Sequence, residues 1–232
     1  MGHWENLGLP TEFDGIVRLF PLPNLVMFPH VIQALHIFEP RYCELLSEAL
    51  ESDRLITMAI LETGWESNFE RLPRISKNVC IGRVISHTPV GDGRHNILLA
   101  GLQRARIIEE IDEDLPFRKA HVQIVEDEPF EDPIAEEAAR VHLLELFTPA
   151  LPEELAQSDA FSDLLSQQIP LGTLTDVIAY ALSFPPAMKQ FLLGEHRVVV
   201  RYETLVEQLS LLAASKQSNR PLDGQPPPFS AN

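Results

Sequence analysis

Leu35–Tyr42 reads LHIFEPRY: an apolar run with one histidine, then an acid, a proline, an arginine and a tyrosine. Just upstream, Leu19–Pro29 reads LFPLPNLVMFP, a hydrophobic segment punctuated by three prolines. Pro40 stands where a first helical residue belongs, because the N–H it lacks has no helical partner there. Beyond it, Tyr42, Leu45, Leu46, Ala49 and Leu50 recur at helical spacing and define one buried face. The octapeptide therefore spells the end of a strand, Ile32–Ile37, running into a helix start. Glu39 lies near the positive helix end. His36, among apolar neighbours, is expected to be a satisfied core histidine, and Phe38 is expected to fill the space between strand and helix. Because charged residues flank the joint, it also serves as a candidate recognition surface, with His36, Phe38, Glu39, Arg41 and Tyr42 as candidate binding residues.

Outward from this joint, residues 1–15 carry no clear period and read as an arm. From Ile16 to about Val125 the pattern is that of short strands between turn signals. The expected strands are Ile16–Leu19, Ile32–Ile37, Leu55–Leu61, Val79–Val90, Asn96–Leu102, Arg104–Glu110 and Ala120–Val125. Asp92-Gly93, between two apolar runs, signals a hairpin, and Gly101 marks a bulge or a corner. Past Asp132 the period becomes 3.6. Asp132-Pro133 reads as a cap and a first-turn proline, and Ser158 as the cap of a short helix through Leu165. Thr173 and Asp176 have capping-box-like spacing. Pro185-Pro186 opens a helix that ends at Gly194, a candidate left-handed cap. A last helix is expected from about His196 to Ala214. The division is thus 1–15 arm, 16–130 β-rich module, 131–215 helical bundle and 216–232 a proline-rich, polar, disordered tail.

The chain carries 34 Asp and Glu against 18 Lys and Arg, a net charge of −16. A phosphate backbone is repelled by such a field, so nucleic acid is disfavoured as a partner. Arg71, Arg74, Lys77 and Arg83 are the only cations in one neighbourhood that favour it. No apolar run reaches the roughly 18 residues of a membrane span, and no export signal opens the chain. A cytoplasmic protein with two free thiols, Cys43 and Cys80, is the expectation. The sequence has neither G-x-x-x-x-G-K-[ST] nor G-x-G-x-x-G, no H-E-x-x-H, and no G-x-S-x-G. Catalytic residues, cofactor and metal are all expected to be none.

These segments resemble the amino-terminal, substrate-binding domain of Lon proteases. The resemblance begins with LFPLPNLVMFP and LHIFEPRY, resumes at Ile81-Gly82 and at DGRHNILLAGLQRARI (Asp92–Ile107), and ends with KQFLLGEHRVVVRYETL (Lys189–Leu205). It covers about residues 16–212. This sequence has His30 where the family usually has glycine, Ala34 where it often has proline, and Ala105 where it has phenylalanine. The resemblance implies an α+β fold, with a PUA-like β-barrel-type module followed by a helical bundle. It also implies a stand-alone binding module for polypeptide segments or protein partners, without the ATPase and protease modules of full Lon proteases. A PUA-like RNA-binding module and a small hydrolase are the alternatives.

Overall fold

The computed structural model describes residues 8–62, 64–65, 73–152 and 169–218, with side chains as far as residue 215. Strand β1 (Ile16–Leu22) is followed by β2 (Ile32–Ile37), helix α1 (Pro40–Glu51) and β3 (Leu55–Ile60). Next come β4 (Asn78–Pro89), β5 (His95–Ile111) and β6 (Arg118–Ile124). Helices α2 (Pro133–Phe147), α3 (Leu171–Ala181), α4 (Pro186–Gly194) and α5 (Val198–Ser218) complete the described chain. Residues 158–165 and 219–232, where a capped helix and the tail were expected, lie outside the described residues.

The strands close a ring. β1 pairs parallel with β3 and antiparallel with β6, β3 pairs with β4, and β4 pairs with β5. The second half of β5, Ala105–Ile111, returns to β6 and closes the barrel, while its first half, His95–Ala100, holds β2 outside the ring. Two strands were expected here, Asn96–Leu102 and Arg104–Glu110. They are one, because a register shift opposite Ile81 and Gly82 absorbs a residue without ending the strand.

Alternation along the strands sorts two cores. Val17, Leu19, Leu55, Val79, Ile81, Ala105, Ile107 and Ala120 fill the barrel interior, and Leu9 and Phe13 of the amino-terminal segment pack against it. The opposite faces of β3, β4 and β5 contribute Ile56, Met58, Cys80 and Leu99 to a larger core shared with α1 and the bundle. Covered on both sides, β3 is buried at every position. Arg18 clamps α1 and the turn after it to the barrel through Glu48 and Asp53, each at 2.8 Å.

Glycine and left-handed positions explain the crossing of the proline-rich segment. A Cβ on Gly101 would lie 2.1 Å from the carbonyl oxygen of Phe28, so only glycine lets that segment pass. His30 and Val31 together oppose Gly101, with His30 at φ 65°. This is a bulge whose first residue is ordinarily glycine, which accounts for the departure noted at His30. The Gly91-Asp92-Gly93 turn has φ of 82°, 50° and 70°, as a tight hairpin requires.

Two capping expectations fail. Helix α3 begins at Leu171 after Pro170, so Thr173 and Asp176 lie inside it, and Asp176 faces the barrel rather than the helix end. Gly194 is absent from the left-handed residues; it is glycine because a Cβ there would meet the Asn78 carboxamide nitrogen at 2.1 Å. The expectations at Asp132-Pro133 and Glu39-Pro40 hold. Asp132 accepts from the Ile134 amide at 2.9 Å, and the Glu39 carbonyl accepts from the Tyr42 and Cys43 amides.

Candidate functional site

The joint at LHIFEPRY separates its five candidate residues onto two surfaces. Glu39, Arg41 and Tyr42 help line a cavity of about 540 Å³. Its walls are the turn after β1 (Pro21, Leu22, Pro23), Leu61, Trp65, Pro73, and the approach to β6 (Pro116, Phe117). The prolines are part of its logic: they hold rigid, apolar wall without exposing N–H groups. Tyr42 is itself buried. Its ring meets Phe20 edge-on at 4.4 Å, its hydroxyl donates to the Pro21 carbonyl at 3.4 Å, and burial raises its pKa.

Charges at the mouth are paired. Arg41 donates Nε and Nη2 to one oxygen of Glu39, at 3.0 and 2.7 Å, and its guanidinium lies 4.6 Å over the Tyr42 ring. Arg118 grips both oxygens of Glu110 and donates to the Pro73 carbonyl at 2.7 Å. The Glu39 carboxylate therefore turns to Arg41 and makes no side-chain cap. Such a mouth offers a neutral set of donors and acceptors over an apolar slot, which suits an uncharged amide backbone carrying apolar side chains.

His36 and Phe38 go the other way, and both burial expectations are overturned. Phe38 is 61% exposed and stacks on the His36 ring at 5.9 Å, while His36 bonds Asn96 across the ladder at 2.7 Å. The reason is parity. Ile37 is the β2 residue that turns inward, 2% exposed, so its neighbours on either side must turn outward.

A second polar constellation was not foreseen. Arg104 of β5, Asp127 after β6, Asp176 of α3 and Arg201 of α5 meet where barrel and bundle join. Arg104 pairs with Asp127 and, at 2.5 Å, with Asp176; Arg201 pairs with Asp127 at 2.5 Å and Asp176 at 3.2 Å. Arg104 also donates to the Leu193 carbonyl of α4 at 3.2 Å. Backbone bonds between Glu128 and the residues His196 and Val198 deliver Asp127 to its place. Gly172 leaves room for it, since a Cβ there would lie 2.5 Å from an Asp127 oxygen. Burial raises Asp176 to about 6, against the pull of both arginines. The available signal was an arginine inside each of two apolar runs, LQRARII and RVVVRY. Every member is engaged with another, so the constellation reads as a clamp.

Burial pushes the Cys80 thiol up, and Cys43 sits 3.1 Å from the Gly93 carbonyl; both are free. Among the described residues, no three His, Cys, Asp or Glu side chains stand together as metal ligands, and no helix is long and apolar enough to cross a membrane.

This fold superposes on solved Lon amino-terminal domains. The N-terminal domain of Mycobacterium avium complex Lon protease superposes with a TM-score of 0.65 at 16% identity, covering 84% of this chain and 98% of that one. A Lon N-terminal domain protein from Xanthomonas campestris gives 0.60 at 19% identity, covering 83% and 97%. Among curated sequences, the Lon protease of Dictyoglomus thermophilum is 28% identical over 213 residues, 89% of this chain and 26% of that protein. The Lon protease of Anaeromyxobacter dehalogenans is 23% identical over 202 residues, 86% of this chain and 23% of the relative. The chain thus spans about a quarter of the length of these relatives. The model of the ATP-dependent protease La (LON) substrate-binding domain matches residues 16–210, and the chain belongs to that family.

Proposed function

We propose that this chain is a binding module that recognises polypeptide segments in protein quality control or regulated proteolysis and is itself neither an ATPase nor a protease. The observation that carries this reading is the apolar cavity beside Tyr42, whose mouth balances Arg41 against Glu39. An extended chain places apolar side chains in the slot and its amides against the paired rim. Membership of a substrate-binding family supports the same reading. Of the expected binding residues, Glu39, Arg41 and Tyr42 belong to this cavity, while His36 and Phe38 form a separate surface. The partner is polypeptide, and a cytoplasmic setting is part of the proposal.

Fluorescence anisotropy with a labelled, disulfide-dependent protein kept unfolded by reduction and alkylation tests it. Micromolar binding is expected, weakened severalfold by Arg41→Ala or Trp65→Ala. No binding at high micromolar concentration removes the proposal's main support. Turnover of ATP or casein that survives purification removes the claim that the module is non-catalytic.

A further inference from the structure

Barrel closure leaves one strand with a single neighbour. β1, β3, β4 and β6 each have a partner on both sides, and β5 has β4 on one side with β2 and then β6 on the other. β2 pairs only with β5 among the described strands. Alternation fixes which backbone groups point to its open edge. The Gly101 amide donates to the Val31 carbonyl at 2.8 Å, so Val31 pairs inward. In an antiparallel ladder Gln33, Leu35 and Ile37 then pair inward too, and the N–H and C=O of Ile32, Ala34 and His36 point away. Of these six groups, the Ala34 carbonyl has a partner among the described residues, the Gln33 side-chain amide at 2.7 Å. The others face outward on exposed residues.

The outer face of the same strand is free of carboxylates and displays three large apolar side chains. Ile32 is 49%, Phe38 61% and Leu98 38% exposed, and the register sets Leu98 opposite Ala34 and Asn96 opposite His36. The next strand adds Ser86 and Thr88. None of these positions carries a carboxylate, on a chain with 34 acidic residues. Sheet edges are ordinarily guarded by lysine, proline, an inward charge or a bulge. Within Ile32–Ile37, IQALHI, there is none of these.

We propose that β2 accepts an extended polypeptide segment as an added strand, a mode of recognition that rests on the polypeptide-binding reading above. Backbone pairing along Ile32, Ala34 and His36 supplies affinity, and apolar guest residues at alternate positions lie over Ile32, Phe38 and Leu98. Lys or Arg at the ends of the guest complements the acidic remainder of the chain. The same charge disfavours a second copy as the occupant, since each copy brings −16.

The probe is a labelled nonapeptide that alternates valine with serine between terminal arginines, measured by fluorescence anisotropy against the full chain. N-methylation is then moved along it one residue at a time. Methylation of one parity is expected to weaken binding at least tenfold and of the other parity less than threefold, because alternate guest amides face β2. Ala34→Lys, at an exposed position, is expected to cost at least tenfold while leaving the melting midpoint unchanged. If the unmethylated peptide binds but shows no parity and ignores Ala34→Lys, strand addition is overturned and polypeptide binding stands. If this peptide fails to bind while the unfolded protein binds, strand addition is likewise overturned. A dimer in sedimentation that Ala34→Lys dissociates assigns the edge to a second copy and overturns the proposal. If neither peptide nor unfolded protein binds, both readings fall.

Discussion

Arg104 in β5 and Asp176 in α3 hold each other at 2.5 Å across the seam of barrel and bundle, and neither side chain is more than 3% exposed. Removing one partner from such a cluster strands buried charge on the others. Arg201→Ala should therefore cost about 3–5 kcal/mol in a denaturant titration. A cost below about 1 kcal/mol would show that water reaches the seam.

The same carboxyl gives a pH signature. Burial lifts Asp176 from 3.8 to about 6 in the folded protein. A folded value above the unfolded one means that its contribution to stability is fully present below 3.8 and is lost as pH rises through about 6. Asp176→Asn lacks this proton. Its unfolding free energy relative to the parent should move in the variant's favour across that window, with the slope of one proton, and stay level above it. Parallel profiles for the two proteins would refute the assignment.

Phe38 and Tyr42 should rank oppositely to their order of hydrophobicity. Phe38 is 61% exposed, whereas Tyr42 is 5% exposed and packed on Phe20. Tyr42→Ala is expected to cost about 3–5 kcal/mol through the cavity it leaves. Phe38→Ala should cost under about 1 kcal/mol, as surface substitutions do, and so should Arg41→Ala, whose ion pair is exposed. Chemical denaturation of the three variants checks the order.

Gly101→Ala meets a wall that cannot yield. The new carbon would overlap the Phe28 carbonyl oxygen, which is backbone. The expected loss is about 3 kcal/mol, the upper part of the overpacking range. Gly194→Ala meets the Asn78 side chain instead, which can swing away at the cost of its 3.4 Å bond to the Gln190 carbonyl, about 1 kcal/mol. Equal midpoints for the two variants would contradict this contrast.

His30→Gly relieves a left-handed residue at φ 65° while keeping the amide bond to Gly101. Left-handed strain costs an ordinary residue roughly 1–2 kcal/mol, and the added freedom of glycine in the unfolded chain returns part of it. A gain of up to about 1 kcal/mol in unfolding free energy is expected. A loss of that size would show that the imidazole itself holds the turn.

The boundaries of β2 and α1 were legible because proline and a change of period act over a few residues. Ile32–Ile37 and the start at Pro40 stand as read. Which face of β2 turns inward was not legible, since alternation defines two faces and only the neighbouring elements choose between them. His36 and Phe38 were misplaced for that reason. Gly194 and Asp176 failed similarly: local spacing suggested caps, but Asn78 and Arg104, far away in sequence, decide what those positions do. The cavity was half visible. Glu39, Arg41 and Tyr42 came from one segment, while Trp65 and Phe117 reach it only through the closed ring.

Ring closure ties the first strand to the last: Ile16–Leu19 of β1 lie against Arg118–His121 of β6. During synthesis, at roughly 5–20 residues per second, β1 therefore waits with an unpaired edge until β6 has left the ribosome. Its other neighbour, β3, arrives much sooner and pairs in parallel. The last step of assembly is a long-range one, paid in loop-closure entropy before it is rewarded. The barrel matures late, and a chain interrupted before residue 118 leaves β1 and the second half of β5 open as well as β2.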